Sequence, residues 1–228
     1  MEKKALRRIL QLLILPVLLL IPEVPAMAQT ITLPSPNRDG ETTLERAMDR
    51  RHSVRSFTDE APTLAQVGQL LWAAGGVSVD GVSGPTRTAP SAGGLYPVEI
   101  YLVAGKARGL EPGVYRYLWR EHELETMVSG DLRGRLRRAA LGQGAVAQAP
   151  CVVVLGANYA VTRARYGSRG VERYVHMDAG HAAQNVLLQA EALGLGMVPI
   201  GAFNNNAVRE LLEIETEPLY LLPVGYPR

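Results

Sequence analysis

Residues 89–97 read Ala-Pro-Ser-Ala-Gly-Gly-Leu-Tyr-Pro and run directly into the apolar segment Val98 to Val103. Proline near both ends stiffens the margins, while the adjacent glycines leave backbone N–H groups bare to anything planar or anionic. Taken alone, the stretch reads first as a surface turn feeding a strand, because glycine and proline mostly punctuate chains. Its meaning rests on the segments around it.

Downstream, Val98 to Val103, Gly113 to Trp119 and Glu123 to Val128 alternate apolar and polar residues and read as strands. The last two form a hairpin across Arg120-Glu121-His122, with His122 expected exposed at its tip. Cys151 to Gly156 is a continuous apolar run of strand length, expected at the centre of a sheet. Cys151 is the only cysteine, so no intramolecular disulfide can form, and a buried strand position suits it. Leu219 to Val224 reads as a further strand, and Met197 to Phe203 as a short strand and turn that leaves the backbone of Gly201 and Ala202 uncovered.

The helices declare themselves by caps and period. Thr42 with Glu45, then Thr63 with Gln66, are spaced as capping boxes; Leu64, Val67, Leu70, Leu71 and Ala74 follow as an amphipathic stripe that Gly75-Gly76 stops. Val77 to Thr88 reads as a loop, and Asp131 to Leu141 as a helix with a solvated basic face. Residues 158–174, with Tyr159, Arg163, Arg165, Tyr166, Arg169 and Arg173, read as a polar loop or lid. His176 to Leu193 is the strongest helix, with an alanine-rich face that admits a close neighbour. His181 within it reads as a satisfied core histidine, and no metal-ligand spacing is present. A last helix spans Ala207 to Leu212.

Upstream, the first helix delivers Arg51, Ser53 and Arg55. In an extended segment this alternation points two guanidinium forks and a hydroxyl to one side, a set suited to phosphate, with a solvated basic run as the plainer reading. At the N-terminus a basic head (Lys3, Lys4, Arg7, Arg8), a short apolar run from Ile9 to Ile21 broken by Pro16, and Ala26-Met27-Ala28 have the order of a secretory signal peptide cleaved after Ala28. The run is shorter than the roughly 20 residues that span a bilayer. Residues 29–41 are expected as a linker and 42–228 as one domain. Four of the 24 basic and two of the 22 acidic side chains fall in residues 1–28, leaving 20 of each. That balance points away from nucleic acid or an anionic membrane as partner.

Together, Arg-x-Ser-x-Arg at 51–55, Pro-Ser-Ala-Gly-Gly-Leu-Tyr-Pro at 90–97, and Ala-Gly-His-Ala-Ala-Gln-Asn at 179–185 running on to Gly-Leu-Gly-Met-Val-Pro-Ile-Gly-Ala-Phe at 194–203 resemble the nitroreductase superfamily. The Ser-Ala-Gly-Gly-Leu-Tyr-Pro form and the closing Leu-Pro-Val-Gly-Tyr-Pro at 222–227 are similar to its branch of SagB-type dehydrogenases and azoline oxidases. The resemblance implies an α+β fold with a mostly antiparallel sheet flanked by helices, an intertwined homodimer, and one FMN at each end of the subunit interface. It implies that Arg51, Ser53 and Arg55 hold the FMN phosphate, and that Pro90, Ser91, Ala92 and Gly94 reach the ring from the neighbouring subunit. It places Gln143 near the ring's polar edge, and Ile200, Gly201 and Ala202 beside its redox-active nitrogen with backbone N–H groups donating. Arg228 would take the place of the basic C-terminal residues that many relatives put on the phosphate, and Gly201 stands where many carry a glutamate.

The activity so implied is an exported FMN-dependent oxidoreductase, reduced by a small-molecule donor, nicotinamide or another. Its acceptor would be a nitro compound, a quinone or oxygen, or its substrate an azoline-type group. The alternative is an exported flavin-fold protein without turnover that binds a ligand or serves as a scaffold.

Overall fold

The computed structural model describes residues 29–81 and 84–228; the expected leader, residues 1–28, lies outside the described residues. In chain order the elements are β1 (Thr30–Thr32), α1 (Leu44–Arg50), α2 (Leu64–Gly75), β2 (Val77–Gly81), β3 (Gly84–Arg87), β4 (Val98–Ala104), β5 (Gly113–Leu118) and β6 (Glu123–Ser129). They continue with α3 (Arg133–Ala139), α4 (Gly144–Gln148), β7 (Cys151–Ala157), α5 (Tyr159–Arg169), α6 (Val175–Ala192), β8 (Gly196–Met197), α7 (Asn205–Leu212) and β9 (Glu217–Gly225).

Among the described residues, seven strands form one antiparallel sheet in the order β1-β6-β5-β4-β7-β9-β8. β7 lies within the sheet, paired along its length with β4 and β9. Its side chains alternate between two cores: Cys151, Val153 and Leu155 join the core built with α2 and α6, while Val152 and Val154 join the one built with α3, α4 and α7. Helices on both faces explain why β7 is apolar throughout rather than alternating. Burial also pushes the Cys151 thiol up to about 12, so it stays protonated and unreactive. The α+β class with a mostly antiparallel sheet flanked by helices is therefore the fold observed.

α2 starts with the expected capping box: Thr63 Oγ1 accepts from Gln66 N at 3.1 Å and Gln66 Oε1 accepts from Thr63 N at 2.9 Å. The alanines of α6 serve close packing, with Ala179, Ala182, Ala183 and Ala190 all buried against the sheet and α2.

Several local expectations are corrected. α1 begins one residue later than expected, because Thr43 rather than Thr42 caps it, its hydroxyl accepting from Arg46 N at 3.2 Å. Residues 77–88 contain a β-hairpin, β2 with β3, fastened by Ser78 and Thr86 hydroxyls 3.1 Å apart; its Gly, Ser and Thr content hid the pairing. Residues 158–174 are helical, with Asn158 capping α5 and a π-turn over Gly170–Tyr174 leading into α6. Most of α5 is exposed, so it carries no apolar stripe by which a sequence could announce it. His181 is exposed rather than in the core. His122 does sit at the β5–β6 turn, at φ 56°, but only half-buried, tied to the Tyr117 hydroxyl at 2.7 Å and to Pro34 O at 2.9 Å. The stretch expected as a linker also contributes: β1 pairs with β6 and Leu33 is buried in the core.

Candidate functional site

The residues singled out in the sequence gather at two places on the sheet. The first lies where the segment after α1 meets β8. Val54 is buried, while Ser53 and Arg55 on either side of it are exposed and Arg51, the C-terminal cap of α1, is half-buried. Ser53 bridges Met197 in parallel, and Val54 N donates to Met197 O at 3.0 Å. Gly196 permits this approach: a Cβ there would meet the Val54 side chain at 2.6 Å. Arg55 then lines a recess of about 300 Å³ with Gln143, Gly144, Val198 and Ile200, so three candidate residues meet in one place.

Hydrogen bonding decides which groups around that recess remain available. Ile200 is paired in both directions with Leu221, its N–H donating at 2.9 Å, so it cannot donate to a ligand as the resemblance implied. Gly201 and Ala202 are exposed, and their N–H groups have no acceptor among the described residues. Gln143 Nε2 donates to Ala140 O at 3.1 Å and Ala202 O at 2.8 Å, which fixes the turn and leaves the amide oxygen for a ligand. Arg228 is placed elsewhere: its N–H donates to Ser56 O at 3.2 Å, but it lines a separate recess with Lys106 and Arg133.

The second place is the loop before β4. Ala92–Gly94 form one 3₁₀ turn, with Gly93 at φ 61° and Gly94 at φ 65°, a backbone that side chains disfavour. Pro90, Gly93 and Gly94 are exposed, and Ser91 and Ala92 are half-buried. The loop is held by residues to which the sequence reading gave no such role. Asp178, 5% exposed on α6, accepts from Ser91 Oγ at 2.6 Å and from Ala92 N at 3.2 Å. His181 Nδ1 lies 3.4 Å from Pro90 O, and Asn185 Nδ2 donates to Thr88 O at 3.1 Å. Positions 178, 181 and 185 share one helix face, so this polar stripe follows the backbone from 92 back to 88. The three-and-four spacing is visible in the sequence, but its partner loop lies 86 to 97 residues away in the chain.

Ser91 Oγ also accepts from Tyr96 N at 2.9 Å, closing the turn from within. Tyr96 in turn packs under Arg87, whose guanidinium lies 5.3 Å from its ring and 4.8 Å from that of Trp119. Burial lowers the Arg87 pKa to about 10, and neighbouring Tyr117 and Tyr96 oppose the shift, so the side chain stays cationic at neutral pH.

The two places lie at opposite ends of the strands. Ser53 is level with Met197, Val224 and Cys151, whereas the loop enters β4 at Val98, which pairs with Ala157 at the far end of β7. The seven residues of β7 separate the two levels, about 20 Å at ~3.3 Å per residue. A recess of about 300 Å³ is at the lower end of the roughly 300–1,000 Å³ of ligand pockets, so the first place alone is a partial site.

Comparison with known proteins gives a consistent answer. The sequence model of the nitroreductase family matches residues 48–226. A Methanocaldococcus jannaschii protein named as a nitroreductase is 42% identical over 199 residues, covering 87% of this chain and 98% of the relative. A solved structure from Ralstonia eutropha, also described as a nitroreductase, superposes with a TM-score of 0.76 at 31% identity over 87% of this chain and 90% of that one. The FMN reductase [NAD(P)H] of Bacillus subtilis is 26% identical over 200 residues, 80% of this chain and 65% of the relative.

Proposed function

Because the chain belongs to the nitroreductase family, we propose that it is an FMN-dependent oxidoreductase, working as a homodimer with two composite sites. FMN, when bound, supplies the redox chemistry, taking electrons from a small-molecule donor and passing them to an acceptor such as a nitro compound, a quinone or oxygen. Arg51, Ser53 and Arg55 bind the phosphate with charge-assisted hydrogen bonds. The N–H groups of Gly201 and Ala202 point donors at the ring and stabilise negative charge there. Gln143 holds that turn in place through Ala202 O. Pro90, Ser91, Ala92 and Gly94 of the other subunit close over the ring and exclude water, and Asp178 fixes their position.

The observation that carries this reading is the pair of N–H groups at Gly201 and Ala202, without an acceptor among the described residues, beside the Arg55 recess, with the glycine loop at the opposite end of the same sheet. A two-fold dimer brings the loop of one subunit to the recess of the other, which a single chain cannot do across the length of β7. Dehydrogenation of an azoline-type group is the second reading, favoured by the Ser-Ala-Gly-Gly-Leu-Tyr-Pro and Leu-Pro-Val-Gly-Tyr-Pro segments. We further propose that the leader pattern of residues 1–28 exports the chain.

The test is the visible spectrum of the purified protein. Flavin absorbance near one FMN per chain, bleached by a reductant and restored by a nitro or quinone acceptor, is the expected result. A colourless protein that also fails to bind added FMN overturns the reading in favour of a binding or scaffold role.

A further inference from the structure

The segment from Tyr159 to Tyr174 carries four arginines, Arg163, Arg165, Arg169 and Arg173, against one carboxylate, Glu172. All four are exposed, and none makes an ion pair among the described residues. A solvated helix face usually interleaves both signs to relieve repulsion. This one leaves about three units of excess positive charge uncompensated over four turns.

One of the four is held against the glycine loop. Tyr166 and Arg165 lie on Gly93: a Cβ there would collide with the Tyr166 hydroxyl and would stand 3.4 Å from Arg165 Cζ. Gly93 is therefore both a conformational and a steric necessity. The contact is braced from behind, since the Tyr166 ring meets Tyr174 edge-on with centroids 5.1 Å apart, and Arg165 Cζ is 5.6 Å from the Tyr166 centroid. The carboxylate of Asp178 is buried and bonded to Ser91 and Ala92, and it makes no ion pair with Arg165. The result is a guanidinium without an ion pair among the described residues, with four hydrogen-bond donors at its tip in a planar fork, lying beside an aromatic ring at the glycine loop.

We propose that Arg165 selects substrates that carry an anionic substituent, a carboxylate or a phosphate, on or beside a planar ring. The ring lies along the loop, and the anion takes a charge-assisted, two-point contact from the guanidinium. The remaining arginines raise the local concentration of anions without contacting the ring, an effect that salt screens. This inference rests on the loop being the flavin-facing wall proposed above, and it adds what that wall admits.

Two matched pairs of probes test it by equilibrium dialysis, on the protein as purified and after FMN saturation. The acceptor pair is 4-nitrobenzoate with 4-nitrobenzamide, which differ in charge and little in shape; the donor pair is NADP⁺ with NAD⁺, oxidised forms that oxidised flavin leaves unchanged. The wild type is expected to prefer the more anionic member of at least one pair by about tenfold. Arg165→Gln is expected to reduce that ratio to below about threefold, and Arg165→Lys to restore part of it. The pair that responds identifies the source of the anion as acceptor or donor. Equal affinities within both pairs in the wild type, or a preference that Arg165→Gln leaves unchanged, overturn the proposal. Loss of the flavin reading shows separately, as a colourless protein that takes up no FMN, and the dialysis ratios still decide the role of Arg165.

Discussion

Asp178 shows how much one side chain can contribute to a site it does not line. Its two oxygens accept from Ser91 Oγ and Ala92 N, and the carboxylate itself is only 5% exposed, while the two donors are half-buried. Asp178→Ala is expected to cost about 2–3 kcal/mol in a urea titration, since each stranded donor costs about 1–3 kcal/mol. FMN affinity should fall with it, while Asp178→Asn, which keeps one acceptor, should lose less of both. Arg51→Ala is expected to weaken FMN binding by about 1–3 kcal/mol, read by titrating apoprotein, with little change in the urea midpoint, because it removes a charge-assisted bond to ligand rather than a buried contact. His122 governs a different property. Burial lowers its pKa despite the bond to Pro34 O, so the unfolded chain binds the proton more readily than the folded one. Its contribution to stability is therefore full above the unfolded value near 6.5 and declines as pH falls from there through the folded value. Urea midpoints at pH 7.5 and 5.5 should show this loss, and His122→Asn, which tolerates the positive φ, should reduce it.

At the level of elements, the loop, α6 and α5 behave as one assembly. The stripe at 178, 181 and 185 fixes the loop from below, and Tyr166 with Arg165 covers Gly93 from above. Gly93→Ala should disturb both, forcing a side chain into a left-handed conformation and into Tyr166. A loss of about 1–3 kcal/mol and a shifted flavin spectrum are expected, whereas Gly94→Ala meets open space and should show the conformational part alone. What sequence could show of these elements followed from local chemistry. The Thr63–Gln66 box and the apolar period of α2 are completed within one turn, so they were legible. α5 was not, because its exposed surface leaves no apolar period, and Gly167 at φ 58° interrupts it. The β2–β3 hairpin hid for a similar reason, its pairing lying in backbone and hydroxyl contacts rather than in apolar alternation.

At the scale of the whole molecule, the decisive fact is the separation of the phosphate-side segment from the glycine loop along β7. Leu44 and Met48, an i, i+4 pair on α1 at 57% and 55% exposure, form an apolar surface beside Arg51 that the proposed dimer would cover. Replacing both with Glu is expected to give a monomer by light scattering that no longer retains FMN, although every residue proposed to bind it is intact. A folded monomer that keeps one FMN per chain would show that one subunit completes the site.

The sequence by itself determined strands β4 to β9 and most of the helices, and it singled out the residues proposed to meet a ligand, because caps, apolar period and the alternation of Arg51, Ser53 and Arg55 are local properties. The glycine loop was also visible there, as bare backbone between prolines. Only the tertiary structure decided which groups are free. Ile200 spends its N–H on Leu221, Gln143 spends its amide nitrogen on the Gly201 turn, and Arg228 faces a different recess. The same holds for Asp178, buried beneath Ser91, and for Arg165, set on Gly93. Hydrogen-bond capacity is consumed by partners far away in the chain, and no local pattern records which donors have been consumed.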